Sequence, residues 1–163
     1  MPLPTKVLPG FVFSLYMQPT ATPAPLSKAN LSVIASVSPI AVAGNLLEVE
    51  AIPEFGQEDA MANFAVAGSR QSDKIPVQSA PMSMTLVHAW TPSNANLLLI
   101  RGDAYSGLID RTYVIAAVEG TNTVYFAFNA RAAQFSLNPA PGAETQCTFT
   151  LHPRGNEYGW SVN

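Results

Sequence analysis

Apolar and polar positions alternate along most of this chain, and alternation with a period of two predicts β-strands. In GTNTVYFAFNARAAQFSL, from Gly120 to Leu137, Val124, Phe126 and Phe128 fall on one face, while Tyr125, Ala127 and Asn129 fall on the other. RTYVIAAV precedes it, and the intervening EGTN has the length and the glycine of a hairpin connection. FVFSLY sets Phe11, Phe13 and Leu15 against Val12, Ser14 and Tyr16. MSMTLVHAW, from Met82 to Trp90, and TQCTFTLH alternate likewise, the second running into PRGN, a turn cluster. LSVIASVSPIAV carries β-branched residues up to Pro39 and reads as a strand with an edge position or a bulge. After AGN, LLEVEAI puts Leu47, Val49 and Ala51 on one face with Glu48 and Glu50 on the other.

Two stretches depart from this rhythm. TPSNANLLLIRGDAYSG offers Thr91 as a helix N-cap, Pro92 at the first helical position, then Leu97, Leu98, Leu99 and Ile100, with Gly102 or Gly107 to end it. Residues 53–81 form a long loop, or a hairpin with NFAVAG and DKIPVQS as arms and SRQS near the tip. QPTATPAP reads as an extended connector, and no internal repeat is present. The pattern predicts a mainly β protein: a β-sandwich or split barrel with one short flanking α-helix and a long loop or hairpin. One domain is expected over residues 1–163, with 1–10 and 156–163 as terminal arms.

Composition narrows the function. Charged residues make up 12% of the 163-residue chain, half the usual share, while hydrophobic residues make up 48%. A surface so short of charge suits a contact surface or a monomer covered in neutral polar groups. A net charge of −3, with eight Lys and Arg scattered singly, argues against a nucleic-acid-binding module. Cys147 is the one cysteine, so no intrachain disulfide forms, and its alternation with Phe149 and Leu151 predicts a buried structural thiol and synthesis in a reducing cytoplasm. The N-terminus is expected not to be a signal peptide, because Pro9 and Gly10 break its apolar core, and no stretch approaches the ~20 apolar residues of a spanning helix. A soluble protein without a membrane is expected.

The chain is chemically quiet. His88 shares a strand face with Leu86 and Trp90, which predicts a packed, hydrogen-bonded imidazole; His152, beside Pro153 at a strand end, is expected in solvent. Two isolated histidines and one cysteine give no metal-ligand spacing. Glu48 and Glu50 resemble an acid/base pair only as any outward strand face does, and GDAYSG is not a nucleophile elbow. No catalytic, metal or cofactor site is expected.

The order of parts carries a resemblance. GFVFSLY is followed by LSVIASVSPIAVAGNLLEVEAIPE, an acidic long loop, MSMTLVHAW, the helix PSNANLLLIRGDAYSG, the hairpin YVIAAVEGTNTVYFAFNARAAQFSL and a closing ETQCTFTLHPRG. Over roughly residues 10 to 155 the chain resembles the major tail tube protein of long-tailed bacteriophages. No added immunoglobulin-like domain, which some relatives carry, is expected, and the loop is less acidic past Asp59 than the resemblance implies. The resemblance implies a structural subunit of the virion tail, made in the host bacterial cytoplasm. Such subunits form rings, usually hexameric, that stack into a hollow tube through which genomic DNA passes without specific binding. Its partners are then other copies of itself, a tape measure protein, and tail terminator or baseplate proteins. On this reading Glu48 and Glu50 face the lumen, Glu54, Glu58, Asp59, Arg70, Asp73 and Lys74 belong to an inter-ring loop, and Arg131 sits at a subunit interface or is solvated at a strand bend. Residues 53–81 are expected to order on ring stacking. A tube subunit of a contractile tail or type VI secretion system shares the fold. A monomeric β-sandwich binding module would instead show clustered exposed aromatics, and an enzyme would show a nucleophile, base and orienter.

Overall fold

A computed structural model describes residues 12–20, 25–65 and 72–163. The strands are β1 (Val12–Met17), β2 (Leu46–Leu47), β3 (Gln57–Ala65), β4 (Ser72–Pro81), β5 (Met84–Ala89), β6 (Asp110–Glu119), β7 (Asn122–Asn138) and β8 (Gln146–Val162). Between them lie helical turns α1 (Lys28–Leu31) and α2 (Ile34–Val37) and the helix α3 (Ala95–Ser106). Six strands form an antiparallel sheet in the order β2-β1-β6-β7-β8-β5, and β3 pairs with β4 as a separate two-stranded sheet.

The β6–β7 hairpin is the centre of the large sheet. Its last pair is Glu119–Asn122, leaving a two-residue turn in which Gly120 has φ 61°, a conformation that glycine adopts without a Cβ penalty. β6 is buried from Arg111 to Ala117 because both sheet faces are covered, so its sequence from Tyr113 to Val118 is continuously apolar rather than alternating. On one face Tyr113, Ile115, Phe128 and Phe149 pack with Leu97 and Ile100 of α3. On the other, Val114 and Ala127 pack with Leu31, Val37 and Ile40 of the α1–α2 segment.

The sheet curls until its edges meet. β2 lies at one edge and β5 at the other, and the chain leaving β2 crosses to β5 through a Val49–His88 bridge and a Glu50 N–H to Val87 carbonyl bond of 3.0 Å. This is the expected split barrel, closed by a seam one bridge wide. Register shifts between Phe128 and Ala130 and between Ala133 and Ser136 bend the long β7–β8 pair as it wraps.

Several expectations need correction. LSVIASVSPIAV is not a strand: Leu31 ends α1 and Ile34–Val37 form α2, and Leu31, Val37 and Ile40, spaced at multiples of three, reach one sheet face. LLEVEAI is strand only at Leu46–Leu47, and Ala51 is exposed rather than aligned with buried Leu47. The N-cap of α3 is Asn94, not Thr91, since the Asn94 side chain accepts from the N–H groups of Asn96 and Leu97. Gly107, in the left-handed region, ends that helix. PRGN does not stop the last strand. β8 continues to Val162, so residues expected as a C-terminal arm pair with Val124–Phe128 of β7. Pro153 is tolerated there because the last β5 pair is at Leu151 and β8 is by then an outer strand. Residues 53–81 contain the hairpin rather than a structureless loop. The expected N-terminal arm, residues 1–10, lies outside the described residues.

Candidate assembly surface

Four features stand out from the body. The first is the seam. Glu48 and Glu50 are exposed on either side of Val49, which packs on the core beside buried Leu47. Glu50 accepts a hydrogen bond from the Gln146 amide, and Glu48 lines a shallow pocket with Asn94, Ala95 and Asn96 at the start of α3. His88, 2% exposed, is the packed and hydrogen-bonded imidazole that its strand face predicted. A groove runs between Phe13–Leu15 of β1 and residues 46–52.

The second is the β3–β4 hairpin. Its arms pair with each other and, among the described residues, make no ladder with the large sheet. Glu54, Glu58 and Asp59 are exposed at its base, as is Met61. Asp73 and Lys74 stand opposite Phe64 and Asn63, and Arg70 lies outside the described residues. A two-stranded ribbon of this kind is marginal alone in water and gains stability from a further surface.

The third is a charged cluster on β6, β7 and β8. Arg131 Nε donates to Asp110 at 2.9 Å, and Arg154 Nη1 donates to the other carboxylate oxygen at 2.6 Å. Burial pushes the Asp110 carboxyl up, but the two guanidinium hydrogen bonds outweigh it and hold it below the usual carboxylate range. The sequence left Arg131 between a subunit interface and a solvated strand bend; its own chain supplies a partner in Asp110. The signal was present, since counting outward from the Gly120–Thr121 turn puts Asp110 directly across from Arg131. A second pair, Arg111 with Asp103, is buried and ties α3 to β6, with Arg111 Nη1 also donating to the Pro19 carbonyl at 3.0 Å.

The fourth is the tip end of the sheet, where, among the described residues, β1, β6, β7 and β8 extend. β1 and β8 are the outer strands there, and both display apolar side chains: Val12 67%, Phe13 46%, Trp160 63% and Val162 63% exposed. Aromatic contacts run from Phe13 through Phe55 and Phe126 to Trp160, with centroids 5.3–6.5 Å apart. Cys147 is buried, and burial pushes its thiol up, as suits a packing residue. Among the described residues no cluster of His, Cys, Asp and Glu could hold a metal, and no helix is long and apolar enough to cross a membrane.

No protein-family model matches the sequence, and no curated protein matches it. Solved structures do. A chain of the sixfold-symmetrised baseplate of the anti-feeding prophage aligns with TM-score 0.61 at 10% identity, over 100% of this chain and 97% of that one. A chain of the sheath-tube complex of an extracellular contractile injection system, in its extended state, aligns with TM-score 0.59 at 11% identity, over 98% and 93%. The SPP1 tail tube aligns with TM-score 0.54 at 12% identity, over 93% and 76%. Identities this low speak to architecture alone: the chain has the fold of subunits found in a phage tail tube and in contractile injection systems.

Proposed function

We propose that the protein is a structural subunit of a tail tube, polymerising as stacked rings into a hollow channel for DNA delivery, and that it is not an enzyme. The observation that carries this reading is the near-complete alignment of the chain with subunits of tube-bearing assemblies. The strand order supports it. At the tip end β1, β6, β7 and β8 alternate in direction, so β8 of one copy laid beside β1 of the next continues the antiparallel alternation around a ring. Joining outer strands in this way also covers Val12, Phe13, Trp160 and Val162. A hexamer is the proposed ring, and a virion tail the proposed location. Tape measure, terminator and baseplate proteins are the proposed partners.

Within this reading the β3–β4 hairpin, with Glu54, Glu58, Asp59, Arg70, Asp73 and Lys74, reaches an adjacent ring. Glu48 and Glu50 contribute negative charge to the channel wall, where a basic wall would hold DNA by its phosphates. Arg131, with Asp110 and Arg154, lies at a subunit contact. A tube of a contractile tail or a type VI secretion system fits equally, since one of the aligned structures is the sheath-tube complex of a contractile injection system. Electron microscopy of the purified protein is the direct test: rings or tubes with a central hole are expected. Uniform small monomers at high concentration would favour a monomeric binding module instead. Hydrogen exchange adds a second readout, with residues 53–81 gaining protection on assembly; equal, strong protection in monomer and tube would count against the inter-ring role.

A further inference from the structure

The seam that closes the barrel depends on one protonation state of one buried side chain. His88 Nδ1 lies 2.6 Å from the Ala89 carbonyl oxygen, which can only accept, so Nδ1 carries the hydrogen. Nε2 lies 3.1 Å from the Glu48 backbone nitrogen, whose N–H can only donate, so Nε2 is bare. The geometry admits the neutral Nδ1–H imidazole and excludes the imidazolium, which would set an N–H against an N–H.

We infer that the seam is an acid-sensitive latch: a proton taken from solvent onto His88 Nε2 releases residues 48–50 from β5. Three contacts hold that segment to β5: the Glu48 N–H to Nε2 bond, the Val49–His88 bridge and the Glu50 N–H to Val87 bond. The first is lost outright on protonation, and the other two follow it directly in the chain. Burial opposes the charged ring where it stands. Outside, it meets welcoming groups. Glu48 and Glu50 on the crossing segment are exposed carboxylates within one residue of the bridge. From β8, the register partner of His88 is Cys147, whose thiol burial keeps uncharged; the start of α3 presents Asn94 and Asn96, both neutral, to the Glu48 pocket. Neutral His88 inside with the seam shut, and charged His88 between two carboxylates with the seam ajar, are therefore two alternative arrangements. Opening widens the groove between β1 and residues 46–52. The inference concerns the single subunit and does not depend on its assembling.

Amide exchange resolved by residue tests it, on the full chain at a concentration that keeps it monomeric. Protection factors for Glu48, Val49 and Glu50 should fall at least about ten-fold as the solution is acidified from neutral within the range where the fold persists, while those of Tyr113 and Ile115 hold. His88→Gln, whose amide can donate to Ala89 and accept from Glu48 without titrating, should abolish that pH dependence. Imidazole nitrogen shifts of the wild-type protein near pH 7.5 supply a readout that needs no variant: they should report the Nδ1–H tautomer. Unchanged protection factors across this range, an equal fall in His88→Gln, or the Nε2–H tautomer would each overturn the latch.

Discussion

Gly159 offers the sharpest test of how the α1 turn is held. It lies on β8, opposite Ala127, where the backbone of Leu31 presses directly onto the strand. A Cβ built at Gly159 collides with the Leu31 carbonyl carbon and oxygen and comes within 2.5 Å of its Cβ. Ordinary carbon contacts lie near 3.5–4.0 Å, so α1 must withdraw by about 1 Å or more. These are main-chain atoms, which no rotamer change can move aside. Overpacking of this kind costs about 1–3 kcal/mol, and withdrawal also uncovers Leu31, fully buried and worth about 1.5–3 kcal/mol when exposed. The two costs are alternatives in part, so Gly159→Ala should lose about 3 kcal/mol. At this chain length that lowers Tm by about 6–12 °C. The sign discriminates, because Gly→Ala at an unstrained site stabilises by about 0.4–1 kcal/mol through the unfolded chain. Gly44, with nothing within 4 Å of its would-be Cβ, is the control and should show no loss. Thermal and urea melts of monomeric protein measure both. A Gly159→Ala protein as stable as the wild type would refute the close approach of α1 to β8.

Arg131→Ala should cost no more than about 1 kcal/mol near neutral pH, because the guanidinium is 35% exposed and solvent screens the pair. The stability that Asp110 contributes is present above the ordinary carboxylate pKa and lost as pH falls through its depressed folded value. Urea titrations from neutral to acid should therefore show a shallower acid loss in this variant. At the alkaline end, burial pushes the Tyr158 hydroxyl up to about 12, partly offset by the Gly56 backbone. Between about pH 10 and that value the unfolded chain gives up a proton that the folded chain keeps, so stability falls as pH rises, and Tyr158→Phe should flatten the fall in urea midpoints.

The β6–β7 hairpin was legible because a glycine turn separates two long apolar runs whose register follows by counting. Cys147 and His88 were legible as core because alternation put them beside Phe149, Leu151 and Leu86. The α1–α2 segment misled because β-branched residues favour strands locally, whereas Leu31, Val37 and Ile40 are held as turns by the sheet face they cover. The seam was invisible for a different reason. Val49 meets His88 across 38 intervening positions, and neither residue's neighbours carry a pattern that names the other. At the candidate surface, the exposed Glu48, Glu50, Glu54, Glu58 and Asp59 were readable from outward-facing polarity. The Asp110 partner of Arg131 needed the hairpin register, and the role of Arg154 needed the bend in β8 that brings it to the same carboxylate.

The pairing of β1 with β6 has a consequence for the chain as it is made. Val12 stands opposite Val118, and the Asn129 amide donates to the Leu26 carbonyl across 103 residues. β1, α1 and α2 thus leave the ribosome long before the strands that receive them. At about 5–20 residues per second, that delay is roughly 5–20 s. The β6–β7–β8 meander, by contrast, needs only nearby chain and can serve as the template. The N-terminal part must wait for it with Leu15, Met17, Leu31 and Val37 uncovered. Synthesis therefore runs against the order of folding, and chaperone demand falls on the first half of the chain.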